Sequence, residues 1–289
     1  MAETKHKHVL ITGASTGIGY DAARDLIAHG YHVFGSVRKQ ADADRVQAEL
    51  GERFTPLLFD VTDEVGVKTA VSQVAQIVGK DGLFGLVNNA GIAAAGPLKH
   101  LSLDDLRYQL EVNVIGLVSV TQAFLPLLGA DKNTPYPPGR IINISSTSGR
   151  TAFPFFGPYS ASKFAVEALS DSLRRELMIY GIDVIVVNPG PIQTPIWDKA
   201  EAVDAAPFMG TDYEKALLYT QKYTIERGRN GMPVTAVSKV IRQTLESKRP
   251  RTRYPVVRQK WLNWTLLQWL PDRWVDRIAN RLLVERGDV

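Results

Sequence analysis

Apolar and polar positions along this chain keep two rhythms that take turns. Residues 8–12 (HVLIT) form a short continuous apolar run ending at a glycine, the pattern of a strand buried on both faces. From residue 20 the period lengthens. Ala22, Ala23, Leu26 and Ile27 fall on one side of a helix that Gly30 stops. The same reading predicts strands over 31–36, 54–59, 83–88, 140–145 and 182–188, with helices over 41–50, 65–78, 103–128 and 159–180. The third of these helices is expected to bend near Gly116, and residues 130–139 (ADKNTPYPPG) make a polar, Pro-rich surface loop after it. Beyond Pro189 the periodicity loosens until about Pro233, where a helix to residue 247 resumes, and 253–257 could add a seventh strand. Strands alternating with helices at this spacing indicate right-handed βαβ units. The expected architecture is α/β: a single-domain Rossmann fold, a doubly wound parallel sheet of about seven strands with helices on both faces. Residues 1–257 would form the dinucleotide-binding and catalytic domain, with a substrate lid at about 195–232. Residues 258–289 would be an appended amphipathic extension.

Composition narrows the classes without choosing among them. The 289 residues are 45% hydrophobic and 22% charged, ordinary for a globular chain and unlike a disordered one. There is no cysteine, which excludes disulfides, thiol nucleophiles and cysteine metal sites. The opening residues carry no apolar signal-peptide core, and no run approaches ~18 apolar residues. A soluble, cytoplasmic protein is expected. The net charge of +4 is unevenly placed: residues 248–289 hold ten Lys/Arg against four Asp/Glu, a local +6, leaving −2 elsewhere. That is a basic tail on a near-neutral body, and it argues against nucleic-acid binding as the general role. The five histidines (His6, His8, His29, His32, His100) form no HExxH, so no metal is expected.

Directly after the first strand comes Thr12-Gly13-Ala14-Ser15-Thr16-Gly17-Ile18-Gly19, leading into a helix. Glycines permit a tight turn and close backbone approach, and a helix N-terminus offers free N–H groups to an anion. This strand–loop–helix context is what a dinucleotide fingerprint requires, although the spacing is GxxxGxG and not GxGxxG. Where NAD-binding folds place a carboxylate for the ribose hydroxyls, this chain has Ser36, then Arg38 and Lys39. A guanidinium would pair with a 2′-phosphate that a carboxylate would repel, so NADP(H) is expected over NAD(H). Asp60, at the end of the third strand, could meet the adenine amino group or cap the next helix.

Tyr159 and Lys163 stand four apart in YSASK, one turn apart on one helical face. A phenol with pKa ~10 is a poor base at neutral pH. A nearby ammonium favours the phenolate and would make the tyrosine a usable proton donor or acceptor. Alone this pattern is weak, and its bland reading is a solvated helix face.

In sequence order, TGASTGIG (12–19), DVTD (60–63), NNAG (88–91), Asn113 in EVNVIG, Ser146 in NISSTSG, YSASK (159–163) and NPGPIQTP (188–195) closely resemble the short-chain dehydrogenase/reductase family. The resemblance implies an oxidoreductase in which Tyr159 exchanges a proton with the substrate oxygen, and Lys163 holds the nicotinamide ribose and lowers the tyrosine's pKa. It also implies that Ser146, thirteen residues before Tyr159, bonds the substrate oxygen, with Ser145 and Ser148 structural neighbours. Asn113 would support a proton path through Lys163. The cofactor would meet Gly13, Ser15, Thr16, Gly17, Ile18 and Gly19, then Arg38, Lys39, Asp60 and Val61. Asn88, Asn89, Ala90 and Gly91 would shape its ribose side, and Pro189, Gly190, Ile192 and Thr194 its nicotinamide end.

Specificity in this family comes from the stretch after the sixth strand and from the C-terminus. Here residues 196–232 include Trp197, Phe208, Met209, Tyr213, Leu217, Leu218 and Tyr219, with Phe153, Phe155 and Phe156 just before the catalytic tyrosine. Phe153, Phe156 and Trp197 are expected to line a wide apolar pocket for a lipophilic alcohol or ketone, unless these aromatics simply pack under a lid. Trp261, Trp264, Trp269 and Trp274 crowd the tail, apolar at helical spacing and broken at Pro271, with Arg273, Arg277 and Arg281 on a polar face. Substrate cover, subunit pairing (a dimer or tetramer) and peripheral membrane contact compete as its use. The whole resembles the hydroxysteroid and retinol dehydrogenase branch. A reductase of smaller or acyl-type ketones is the alternative, as is a cofactor-binding regulator without turnover.

Overall fold

Continuous apolar runs make strands that are covered on both sides, and the chain builds one sheet from them. The computed structural model describes residues 7–134, 136–201 and 205–280; His6 and Arg281 lie outside these. The strands are β1 (His8–Ile11), β2 (His32–Val37), β3 (Phe54–Leu58), β4 (Gly85–Asn88), β5 (Arg140–Ile144), β6 (Asp183–Pro189) and, later in the chain, β9 (Arg253–Val256). They pair in the order β3-β2-β1-β4-β5-β6-β9, every pairing parallel. A short parallel pair, β7 (Ile192–Gln193) and β8 (Met232–Pro233), stands apart from the seven-stranded sheet.

Successive residues of β1 show why the runs are continuous. Leu10 faces a core that also holds Val74, Val112, Phe124 and Leu177, whereas Val9 and Ile11 face one holding Ala22, Leu26, Val237 and Ile241. The first layer comes from α3 (Glu64–Val78), α5 (Gly116–Phe124) and α6 (Gly157–Glu176), with α4 (Leu103–Leu110) packed against α6. The second comes from α1 (Gly17–Ala28), α2 (Gln40–Leu50) and α9 (Thr235–Glu246). Strand order reverses between β1 and β4, which opens a crevice at the carboxyl edge of the sheet.

The long helix over 103–128 carries its irregularity just before Gly116: residues Glu111–Ile115 form a π turn between α4 and α5, and the backbone stays helical at both junctions. A side chain at Gly116 would press on Val61, so the glycine permits the close crossing there. The loosened stretch after Pro189 is not irregular. It holds α7 (Ile196–Glu201) and a 16-residue helix, α8 (Glu214–Arg229). Its apolar stripe is thin because only Ala216, Leu217, Ile225 and Gly228 are buried. The tail is helical as expected, with a π turn at Trp261–Leu266, a short α10 (Leu267–Trp269), Pro271, and α11 (Asp272–Asn280).

Candidate active site

The site is assembled from the carboxyl ends of six neighbouring strands, β1 to β6. After β1 the chain turns at Gly13 (φ +67°) and Gly17 (φ +60°), conformations that L side chains rarely adopt. A Cβ on Gly19 would run into the Gly13 carbonyl, and one on Gly13 would come 3.0 Å from the Ala90 backbone. Thr12 fastens this loop to the end of β4, its hydroxyl accepting from Asn89 N–H at 2.9 Å and Ala90 N–H at 3.0 Å. The Asn89 amide returns the tie to the Thr12 and Gly13 carbonyls. Thr16 is the residue before α1 and makes no side-chain cap, and no carboxylate occupies the first turn. The helix therefore begins as an uncapped set of N–H donors over a glycine cradle, which fits the diphosphate of a dinucleotide. Ser15 and Ile18 complete the loop, and Arg45 of α2 braces it through the Ser15 carbonyl at 2.7 Å.

The end of β2 divides two duties. Ser36 is buried and its hydroxyl accepts from Gly13 N–H at 2.9 Å, so it seals the loop. Arg38 and Lys39 are exposed beyond it. Arg38 reaches Asp60 at 3.7 Å, while the other Asp60 oxygen accepts from the Thr62 amide and hydroxyl at 3.0 and 2.8 Å. The cap of α3 is Asp63 and not Asp60. Val61 commits its side chain to the core under Gly116.

Ser146, Tyr159 and Lys163 come together. Ser146 follows β5 and its oxygen accepts from Ser148 N–H at 3.1 Å, leaving its proton for another partner. The Tyr159 phenol is close enough for this hydroxyl to draw it down. Lys163 lies one turn further along α6, 5.7 Å from the Tyr159 ring centre, and its Nζ donates to the Ile144 carbonyl at 2.9 Å. Burial pushes the Lys163 ammonium down to about 8, against the pull of Glu167. Burial raises the phenol, and the opposing pull among the protein's own groups is the Ser146 hydrogen bond.

Asn113 sits in the π turn, 1% exposed. Its amide accepts from Ile92 N–H at 2.9 Å and donates to the Ile92 carbonyl and the Ser162 hydroxyl, each at 3.0 Å. Gly91 leaves a gap beside it: a Cβ there would lie 3.2 Å from the Asn113 oxygen and 3.8 Å from Lys163 Nζ.

Other positions are placed differently from expectation. Asn88 points into the interior, donating to Thr121 and Asn143 at 2.9 Å each. Ile192 is a core residue, and its carbonyl accepts from the Trp197 indole at 2.6 Å. Trp197 lies flat against Gly228 of α8, a packing position that nothing links to Ser146 or Tyr159. Thr194 does arrive at the loop, within 3.6 Å of where a Gly17 side chain would be. Pro189 ends β6, and Gly190 donates to the Val256 carbonyl at 3.0 Å. Phe155 packs in a buried cluster with Phe208, Ala216 and Leu217; Phe153 is exposed and Phe156 partly buried. Sequence reasoning missed Thr12, Gln109 and Asn188. Gln109, one turn before Asn113, ties down the same strand end through the Ile92 carbonyl and Ala94 N–H. The two amides four apart were its available signal.

Residues 7–204 match the short chain dehydrogenase family. The chain belongs to that family. Among curated relatives it is 43% identical, over 94% of this chain and 95% of the other, to the NADPH-dependent 3-dehydrocapnine reductase of Ornithobacterium rhinotracheale. It is 35% identical to retinol dehydrogenase 5 of Mus musculus, covering 95% and 88%. A solved short-chain dehydrogenase from Streptomyces avermitilis superposes with TM-score 0.78 at 24% identity, covering 99% and 100%. As a short-chain dehydrogenase of the retinol dehydrogenase-like branch, the protein is an oxidoreductase acting on alcohol and carbonyl groups, and it binds a nucleotide cofactor and a small substrate.

Proposed function

We propose that this enzyme interconverts an alcohol and a carbonyl on a lipophilic substrate with NADP(H), using Tyr159 as the proton donor and acceptor. The observation that carries the reading is the Ser146 hydroxyl, oriented by Ser148 N–H and aimed at the phenol, with Lys163 one turn away. When bound, the nicotinamide supplies or takes the hydride, so the protein must move one proton and hold the oxygen that receives it. Tyr159 does the first and Ser146 the second, both beside the crevice at the carboxyl edge. Lys163 holds the ribose and Asn113 keeps the Gly91–Ile92 strand end in register beside it. Gly13 to Gly19 take the diphosphate, and Thr194 covers it from the β7 side.

Support for the 2′-phosphate comes from Arg38, exposed just beyond β2, a strand that ends in Ser36-Val37 with no carboxylate. The NADPH dependence named for the relative from Ornithobacterium agrees with it. Support for a lipophilic substrate comes from the apolar lid, which packs on Phe155 four residues before Tyr159. NADPH consumption over a panel of retinal, keto-steroids and short ketones tests both assignments. Preference for the short ketones would contradict the lid reading.

The exposed apolar side chains Tyr108, Ile115 and Phe164, on adjoining helical elements, suit pairing with a second copy. The tail suits surface contact with anionic lipid in a cytoplasmic enzyme. Trp261, Trp269 and Trp274 are exposed beside the arginines, and α11 buries nothing. Among the described residues no helix is long and apolar enough to cross a membrane. Liposome flotation of a Trp269→Ala/Trp274→Ala variant, with sedimentation for size, separates the two contacts.

A further inference from the structure

Beneath the reacting centre lies a carboxylate with no assigned role. Glu167 is 4% exposed and follows Lys163 by one turn of α6. A buried carboxylate persists only with partners, and this one has two. Arg253 of β9 donates to it at 2.7 Å, and Asn188 of β6 donates to its other oxygen. The same Asn188 amide also donates to the Ser146 carbonyl at 3.3 Å. From β5 the turn closes over the carboxylate so tightly that a Cβ on Gly149 would lie 3.2 Å from the Glu167 side chain. Three strand ends, β5, β6 and β9, therefore meet on one acid.

We propose that Glu167 is a positioning residue for the reacting centre: with Arg253 as counter-ion, its carboxylate sets the charge on Lys163 and, through Asn188, fixes the backbone of Ser146. The proposal rests on the reading of Lys163 and Ser146 given above. Lys163 lies between the Tyr159 phenol on one side and Glu167 on the other, and Glu167 is the charged group that pulls its ammonium upward against burial. Behind Glu167 stand Arg253, then Asp171, which Arg253 meets at 2.9 Å, then Arg174, which meets Asp171 at 3.1 Å. Removing Glu167 leaves Lys163 without its carboxylate and facing Arg253, which keeps Asp171 as its remaining partner. Removing Arg253 leaves it facing an unneutralised Glu167. The two losses must act on Lys163 in opposite directions.

The test is an NMR pH titration of the Lys163 side-chain nitrogen in the full-length chain, labelled with ¹⁵N-lysine and assigned by the signal's loss in Lys163→Arg. Wild type should titrate near 8. Glu167→Gln, which keeps an acceptor for Asn188 and removes the charge, should move the midpoint down, and Arg253→Gln should move it up, each by roughly half a pH unit or more. Should Glu167→Gln lose its fold by circular dichroism, the upward shift in Arg253→Gln carries the test. Midpoints that stay put, or that move the same way in both variants, overturn the proposal and leave the pair as packing. Because the titration needs no turnover, it answers even if Tyr159 is not the proton donor.

Discussion

Replacing Asn113 by alanine removes three hydrogen bonds from a site that water does not reach. A buried hydrogen bond is worth about 1 kcal/mol net, so the loss should be ~3 kcal/mol, with the Ile92 N–H left unpaired and its carbonyl held by Gln109 alone. For a domain of this size each kcal/mol moves the thermal midpoint by roughly 2–4 °C, so Asn113→Ala should melt roughly 6–12 °C below wild type. Ser162→Ala is the graded control. It removes one acceptor from Asn113 and the hydroxyl's own bond to the Tyr159 carbonyl at 2.7 Å. It leaves both Asn113–Ile92 bonds in place, and with two bonds lost should cost ~2 kcal/mol. Differential scanning calorimetry reads both. A drop below ~1 kcal/mol for Asn113→Ala would refute the reasoning, because the π turn would then hold its shape without the amide. So would a Ser162→Ala loss larger than that of Asn113→Ala.

Gly19→Ala forces a methyl against the Gly13 carbonyl and should abolish NADPH binding by fluorescence titration while wild type binds. Arg38→Ala should lower kcat/KM for NADPH by about tenfold or more and leave the value for NADH within about twofold, since a charge-assisted contact is worth ~1.5–3 kcal/mol; an equal fall for both cofactors would remove Arg38 from 2′-phosphate recognition. The folded state holds Lys163 near 8, below its ordinary 10.5, so the unfolded chain binds more protons between these values and stability must rise with pH across that window. Relative to Lys163→Met, urea denaturation of wild type should recover up to ~3 kcal/mol between pH 8 and 10.5, and a flat difference would contradict the burial assigned to this lysine.

Much of the fold was legible because buried parallel strands write themselves as unbroken apolar runs. HVLI and RIINI need no neighbour to be recognised, and the glycine loop between β1 and α1 is a local backbone requirement. What stayed hidden depends on contacts distant in sequence. Helix α8 buries only four of its residues, so its period was faint. Trp197 looked like pocket lining and proved to be packed on Gly228, thirty-one positions later. Within the site, Ser146, Tyr159 and Lys163 were found as types at a spacing. The supports that give them direction, Ser148 N–H, Asn188 and Glu167, are a backbone group and two polar residues whose partners come from other strands. One-turn spacing places Lys163 beside Tyr159, whereas the burial that pushes the phenol up is something spacing does not carry.

The central claim is that the Tyr159 hydroxyl moves the proton while the glycine loop holds the cofactor independently of it. The direct measurement is the turnover of Tyr159→Phe with NADPH and the best carbonyl substrate of the panel, set beside NADPH affinity by fluorescence titration. Turnover should fall by at least ~10²-fold with affinity within about threefold of wild type, since a positioned proton donor contributes ~10²–10⁴ in rate. A variant that keeps most of its turnover, at unchanged affinity, would contradict the account.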